Sequence, residues 1–277
     1  MARWTIEEPG ELTFGQVTGL SVRIVAGRLA VLAGDGPPTL EVAEAGGTPL
    51  HVEHDEETGH LTVAYHDLTW DGVLGWLRPG NRRTVLTLTV PKNCPVQAGV
   101  ISASTVLAGL EGRTGVRSVS GDITLDGVSG EVHAETISGS VESRGLSGDL
   151  SFSSVSGELT VADGAPRRLK AQTVTGRIMA DLELSPTGHV TFISVSGTVL
   201  VRLPADVRTD VTLQSTSGAV EAEFPELTAR DRPGGRSLSG RLGGGMASLS
   251  ATTVSGEITL FRKDVSTETH EETEAHA

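Results

Sequence analysis

Between residues 118 and 161 the chain reads SVSGDITLDGVSGEVHAETISGSVESRGLSGDLSFSSVSGELTV. Its five Ser-Gly pairs end at Gly121, Gly130, Gly139, Gly148 and Gly157, nine residues apart each time. Five further copies end at Gly176, Gly197, Gly218, Gly240 and Gly256. With each motif glycine as zero, position +2 is a branched aliphatic in all ten copies, from Ile123 and Val132 through to Ile258. Position −1 is Ser except at Thr175, and position −2 is aliphatic except at Thr216. Positions +1 and +3 are mostly polar, as in Asp122, Thr124, Glu131, His133, Glu158 and Thr160. Alternation with a period of two is the mark of a strand with one buried face. On this reading −2, 0, +2 and +4 face inward. The pairs Asp126-Gly127, Glu135-Thr136, Arg144-Gly145 and Ser153-Ser154 at +5 and +6 then make the turns.

After Gly157 the motif spacing roughly doubles. Nine residues before the later glycines the strand parity persists without Ser-Gly: Leu169 and Ala171, Val190 and Phe192, Val211 and Leu213, Leu249 and Ala251. The repeating unit is therefore about two strands, in a coil of 18–21 residues. Two all-β architectures fit: an elongated parallel β-solenoid, or an antiparallel meander with Asp126-Gly127 as a hairpin turn. The solenoid is favoured, because identical chemistry stacks like on like only when coils run parallel, and each unit needs neighbours to bury its face. With nine aromatic residues in 277 and 35 glycines, the composition suits a thin two-sheet core. The motif glycines then mark a bend or a close approach of backbone, and the serines point outward or bond a backbone group there.

Outside the repeat, residues 1–19 read as a lead-in. Residues 20–98 read as an irregular β-rich cap with strands at GRLAVLA, TLEVAEA, LHVEH, HLTVAYH and TVLTLTV. Residues 99–262 form the regular repeat, interrupted at 225–247 by a loop-rich insertion with Pro225 and Pro233. Residues 263–277 form an acidic tail expected to be disordered. Residues 67–83, DLTWDGVLGWLRPGNRR, have two readings. They fold Trp70 and Trp76 over the end of the core. Alternatively they present these with Arg78, Arg82 and Arg83 as a patch for a protein or membrane-surface partner.

A formal net charge of −13 argues against nucleic acid, whose phosphates demand a basic face. The partner class expected is protein. Cys94 is the single cysteine, so no disulfide forms within the chain. No stretch approaches 18 consecutive apolar residues, and MARWTIEEPGELTFGQ lacks the basic and apolar regions of a secretory signal. The expected location is cytoplasmic.

Three chemistries are candidates for such a repeat. A nonapeptide calcium repeat needs recurrent Gly-Gly-x-Gly turns and Asp, and Asp126 recurs in no other copy. A carboxylate pair for sugar cleavage has its best candidate in Asp122 and Glu158, two coils apart and so about 9–10 Å at the usual strand spacing. A zinc site among His51, His54, Asp55, His60 and His66 requires long-range convergence, since His51 and His54 fall on opposite strand faces. None rises above a solvated surface. The expectation is a non-catalytic protein with no cofactor and no metal.

The phased V-S-G-[DE]-I-x-L strands, the preceding VPKNCPV and the closing GGGMASLSATTVSGEITL resemble the bacterial "putative adhesin" β-strand-repeat family, whose domains are also called toastracks. The resemblance spans roughly residues 20–262. It implies an elongated β-solenoid without agreed catalytic residues. The phased repeat and the missing catalytic constellation point to a scaffold or protein-binding role, and the resemblance adds that some members of the family stand alongside envelope-stress systems and membrane-anchored partners. The alternative reading is a surface adhesin or a carbohydrate-binding or carbohydrate-active β-helix protein.

Overall fold

A computed structural model of the chain describes residues 1–65, 82–232 and 235–263. Among these there is no helix. The N-terminal strands are β1 (Ala2–Ile6), β2 (Gly10–Thr13), β3 (Gly19–Ile24), β4 (Ala26–Ala33), β5 (Thr39–Ala45), β6 (Leu50–Asp55), β7 (His60–Ala64) and β8 (Arg83–Val90). The repeat runs through β9 (Val96–Val100), β10 (Ser104–Ala108), β11 (Thr114–Ser118), β12 (Ile123–Asp126), β13 (Glu131–Thr136), β14 (Val141–Arg144), β15 (Asp149–Ser154), β16 (Leu159–Gly164), β17 (Arg168–Thr173), β18 (Ile178–Leu182), β19 (His189–Ser194) and β20 (Val199–Pro204). It closes with β21 (Thr209–Ser215), β22 (Val220–Ala222), β23 (Thr228–Arg232), β24 (Gly235–Leu242), β25 (Ala247–Thr253) and β26 (Ile258–Lys263). The five strands expected in the N-terminal part are all present, as β4 to β8.

Two long sheets result. Sheet A runs β1-β6-β7-β3-β9-β11-β13-β15-β17-β19-β25-β21-β24-β23. Sheet B runs β2-β5-β8-β4-β10-β12-β14-β16-β18-β20-β26-β22. From β9 to β20 the chain alternates between sheets and every ladder is parallel. The architecture is thus the parallel β-solenoid with two strands per coil, not the antiparallel meander. Its core is the slab between the sheets, lined by the +2 residues, all buried except the half-buried Val220, and by buried Leu169, Val190, Val211 and Leu249.

One inward column of sheet A shows how so thin a slab is filled. Its register runs Ala134, Phe152, Ala171, Phe192, Ala251. Large and small side chains alternate, so each ring spreads over the space its alanine neighbours leave. A column of rings alone would overfill the slab, and one of alanines alone would leave voids.

Neither end follows simple sequential stacking. Coil β3–β4 sits inside the N-terminal end, flanked by β7 and β9 in one sheet and by β8 and β10 in the other. Coil β25–β26 inserts between β19–β20 and β21–β22. Antiparallel strands finish both ends: β1 on β6 and β2 on β5 at one, and the hairpin β23–β24 on β21 at the other. Such caps cover open parallel edges that would otherwise template aggregation. The segment 225–247, read from the sequence as a loop-rich insertion, is mostly this hairpin. Likewise the 1–19 lead-in carries two capping strands. Gly240 lies inside β24 and is not a solenoid corner; its LSG is a coincidental match, because antiparallel strands share the same alternation.

Two hydroxyls in the slab, Thr105 Oγ1 and Ser143 Oγ, are buried without a hydrogen-bond partner. An orphaned buried hydroxyl costs its desolvation and recovers nothing. Thr105→Val keeps the shape and removes the orphan. It is expected to raise stability by about 1 kcal/mol, seen as a rise of about 2–4 °C in melting temperature.

Candidate functional site: an exposed aliphatic row at the serine-glycine corner

The Ser-Gly motif serves two different corners. Seven of its glycines, at 121, 139, 157, 176, 197, 218 and 256, lie where the chain leaves sheet A for sheet B. Gly130 and Gly148 lie at the opposite corner. At the first corner a Cβ on Gly176 would penetrate the carbonyl oxygen of Gly157, and one on Gly197 that of Gly176. The same holds for Gly256 against Gly197 and for Gly218 against Gly256. The glycines are therefore required by coil-on-coil contact of backbone, not by a left-handed turn. Positive φ belongs elsewhere, to Gly127 and Gly145, which end the sheet B strands β12 and β14.

Hydroxyls complete the corner. Position −3 is Ser or Thr in all seven copies: Ser118, Thr136, Ser154, Thr173, Ser194, Ser215 and Thr253. Thr136, Ser154, Thr173, Ser194, Ser215 and Thr253 each accept the N–H of the motif glycine at 2.7–3.0 Å. This satisfies a donor that the bend removes from the ladder. The −1 hydroxyls instead tie coils together. Ser138 donates to Val119 O at 3.2 Å, Ser156 to Ile137 O at 3.3 Å and Ser196 to Val174 O at 3.3 Å. The serines thus bond backbone at the bend, one of the two roles expected of them. In the sequence the −3 row reads as an S/T-x-S/T-G pattern.

Because −3 turns inward to hold the glycine, −2 must turn outward. This corrects the expected parity. Glu135-Thr136 and Ser153-Ser154 end β13 and β15 as strand, and the bend falls two residues later. Only at the other corner does −2 face in, as buried Val128 and Leu146. Along the first corner it forms an exposed row: Ile137 52 %, Val155 52 %, Val174 43 %, Val195 46 % and Val254 52 % exposed, with Ile101 and Val119 half-buried. Beside the row runs a trough of about 520 Å³, bordered by Ile101, Val119, Ile137, Val155, Arg117 and Glu135.

The outer face of sheet A beside the trough is charged and ordered by register. Arg113 pairs with Glu131 at 2.8 Å and Arg117 with Glu135 at 2.9 Å. Further along, Asp149 accepts from Arg167 at 3.0 Å and from Arg168 at 2.7 Å. These hydrogen bonds, Arg167's first, hold the Asp149 carboxyl down at about 2. A depressed carboxylate contributes stability that is present above its unfolded value near 3.8 and is lost as pH falls through the folded value. The stability lost between about pH 4 and pH 2 is therefore expected to be smaller in Asp149→Asn than in the parent. Chemical denaturation at stepped pH measures this.

Of the patch expected at 67–83, Trp70, Trp76 and Arg78 lie outside the described residues. Arg82 is buried, with its guanidinium 5.9 Å from the Tyr65 ring centre. Arg83 is exposed and pairs with Glu44 at 3.3 Å. Asp122 and Glu158 are exposed on the outside of sheet B, in a row that reads Asp122, Ser140, Glu158, Arg177, Thr198, Glu257, Ala219. Glu257 enters because coil β25–β26 is inserted there. The Asp122 carboxylate accepts the Ser140 N–H at 3.0 Å. His54 is buried and bonds Gln16 O at 3.0 Å, His60 bonds Ser21 at 3.0 Å, and Asp55 caps its own turn through Thr58 at 2.8 Å. His66 lies outside the described residues. Among those described, no three His, Cys, Asp or Glu side chains converge. No described helix is long and apolar enough to cross a membrane. Cys94 is buried, and desolvation pushes its thiol up to about 11.

A capped parallel β-solenoid with a serine-glycine corner is the class of protein these features define. The profile of the Toastrack DUF4097 family matches residues 39–261, and the chain belongs to this family. Comparison with curated proteins finds no match. Among solved structures the chain is similar to a "putative lipid binding protein" from Parabacteroides distasonis, with 14% identity, TM-score 0.42, 91% of this chain and 96% of that chain covered. It is similar also to a "putative adhesin" from Bacteroides fragilis, with 10% identity, TM-score 0.40 and 94% and 97% covered. A "putative cell adhesion protein" from Clostridium sporogenes is similar at 14% identity, TM-score 0.31, with 92% and 100% covered.

Proposed function

We propose that the protein is a non-catalytic binding scaffold whose aliphatic corner row holds a protein partner. The observation that carries this reading is the concentration of exposed apolar side chains in one line. Ile137, Val155, Val174, Val195 and Val254 make up five of the nine exposed large hydrophobics among the described residues. Scattered apolar residues are ordinary on a surface, whereas a continuous line of them marks a contact site. The rigid stack holds the row in place, so binding costs little ordering entropy. The exposed carboxylates Asp122 and Glu158 serve the solvated outer face in this reading.

A photo-crosslinking residue at position 137 or 155 is expected to capture a defined protein in cells of the native host, whereas the same residue at position 36 captures none. Ile137→Asp with Val155→Asp, melting as the parent does, is expected to abolish the capture. Unchanged capture removes the row as the binding surface. Turnover of a polysaccharide that disappears in Asp122→Asn overturns the non-catalytic reading.

A further inference from the structure

The outer face of sheet A beside the row is complementary to itself. The register of β11 and β13 sets Gly115 beside His133 and Arg117 beside Glu135, and Arg113, just before β11, pairs with Glu131 at the start of β13 at 2.8 Å. Arginines thus flank β11 at two heights, and glutamates of the neighbouring strand stand at the same two heights. Between them Gly115 leaves a depression of about 260 Å³ bordered by Gln97, Arg113, Arg117, His133 and Glu135.

We propose that the partner of the aliphatic row is a second copy of this chain, packed face to face about a two-fold axis that runs along the strands between β11 and β13. The proposal rests on the row being a protein-binding surface. Such an axis exchanges β11 with the partner's β13 and keeps each residue at its own height. Arg113 and Arg117 then face glutamates of the partner, and the two in-chain ion pairs become four-membered charge clusters. The partner's His133 projects into the depression over Gly115. In the row, Val119 meets the partner's Ile137 and Ile101 meets the partner's Val155.

The same axis exchanges β9 with β15 and β3 with β17, and no like charges meet there. Gln97 faces the partner's Ser151, Gly99 the partner's Ser153, Ser21 the partner's Lys170 and Arg23 the partner's Gln172. An isologous interface requires this reciprocity of every contact. Six strands at about 4.8 Å by about five residues give a footprint of about 500 Å² per copy, or about 1,000 Å² in all. That is the low end for a specific dimer, where charge complementarity decides whether it forms.

The test is sedimentation equilibrium of the full chain. The parent is expected to dimerise, with the dimer weakening as salt rises. Arg113→Glu with Arg117→Glu sets four glutamates against one another in each half of the interface, and is expected to weaken the dimer at least about tenfold. Adding Glu131→Arg and Glu135→Arg restores the reciprocity with signs reversed, and is expected to restore the dimer. A parent that stays monomeric, or a dimer unaffected by the arginine reversals, overturns the proposal. A monomeric parent whose position 137 still captures a protein of another mass overturns self-association alone and leaves the scaffold reading standing. A monomeric parent with no capture removes both.

Discussion

Gly176→Ala is expected to lower stability by at least about 4 kcal/mol, a fall of about 10 °C or more in melting temperature. The added methyl would penetrate the Gly157 carbonyl oxygen and sit 2.8 Å from Thr173 Oγ1. Backbone bonds pin the two coils together on either side of the glycines, from Thr175 N–H to Val155 O at 3.0 Å and from Leu159 N–H to Arg177 O at 2.9 Å, and the Gly176 N–H is bound to Thr173 at 3.0 Å. Relief requires opening the stack at that level. Two controls separate this cause from other costs of losing glycine. Gly36 has no atom within 4 Å of a built Cβ, so Gly36→Ala is expected to change stability by less than about 0.5 kcal/mol. Gly127 has open space but a φ of 58°, so Gly127→Ala is expected to cost about 1 kcal/mol from backbone strain alone. If Gly176→Ala melts like Gly36→Ala, coil contact is not what the motif glycines provide.

Phe192→Ala is expected to cost about 3–5 kcal/mol. Phe192 is fully buried, and its neighbours in the column, Ala171 and Ala251, have no side chain able to swing into the vacated space. The cavity therefore stays open, which places the loss toward the upper end of that range. Thermal and urea denaturation measure it. A loss under about 1 kcal/mol would mean that the sheets close over the gap and that the slab is softer than its packing implies.

Much of the fold was legible because it is a local property. The alternation that buries Ile123, Val132 and Val141 is written residue by residue, and the lengthened spacing after Gly157 exposed the two-strand coil. The site was less legible. Val119, Ile137 and Val155 occupy the same motif position as Val128 and Leu146 and are chemically alike. One set lines the outside of the molecule and the other its core. The difference lies three residues before each glycine: a hydroxyl that turns in to hold the glycine N–H at one corner, against Gly127 or Gly145 in a left-handed turn at the other. The motif alone does not separate the two corners, because both carry an aliphatic residue at −2.

The sequence by itself determined the alternation within each strand, the coil of two strands and the shortage of bulky core residues, because pleat and turn chemistry act within a few residues. The tertiary structure alone decided that β25 enters between β19 and β21 and that the antiparallel pair β23 and β24 caps the end. It also decided that one row of valines faces solvent. Those outcomes depend on which distant edges compete for a strand and on which carbonyl stacks over which glycine, and neighbours in the sequence cannot express either.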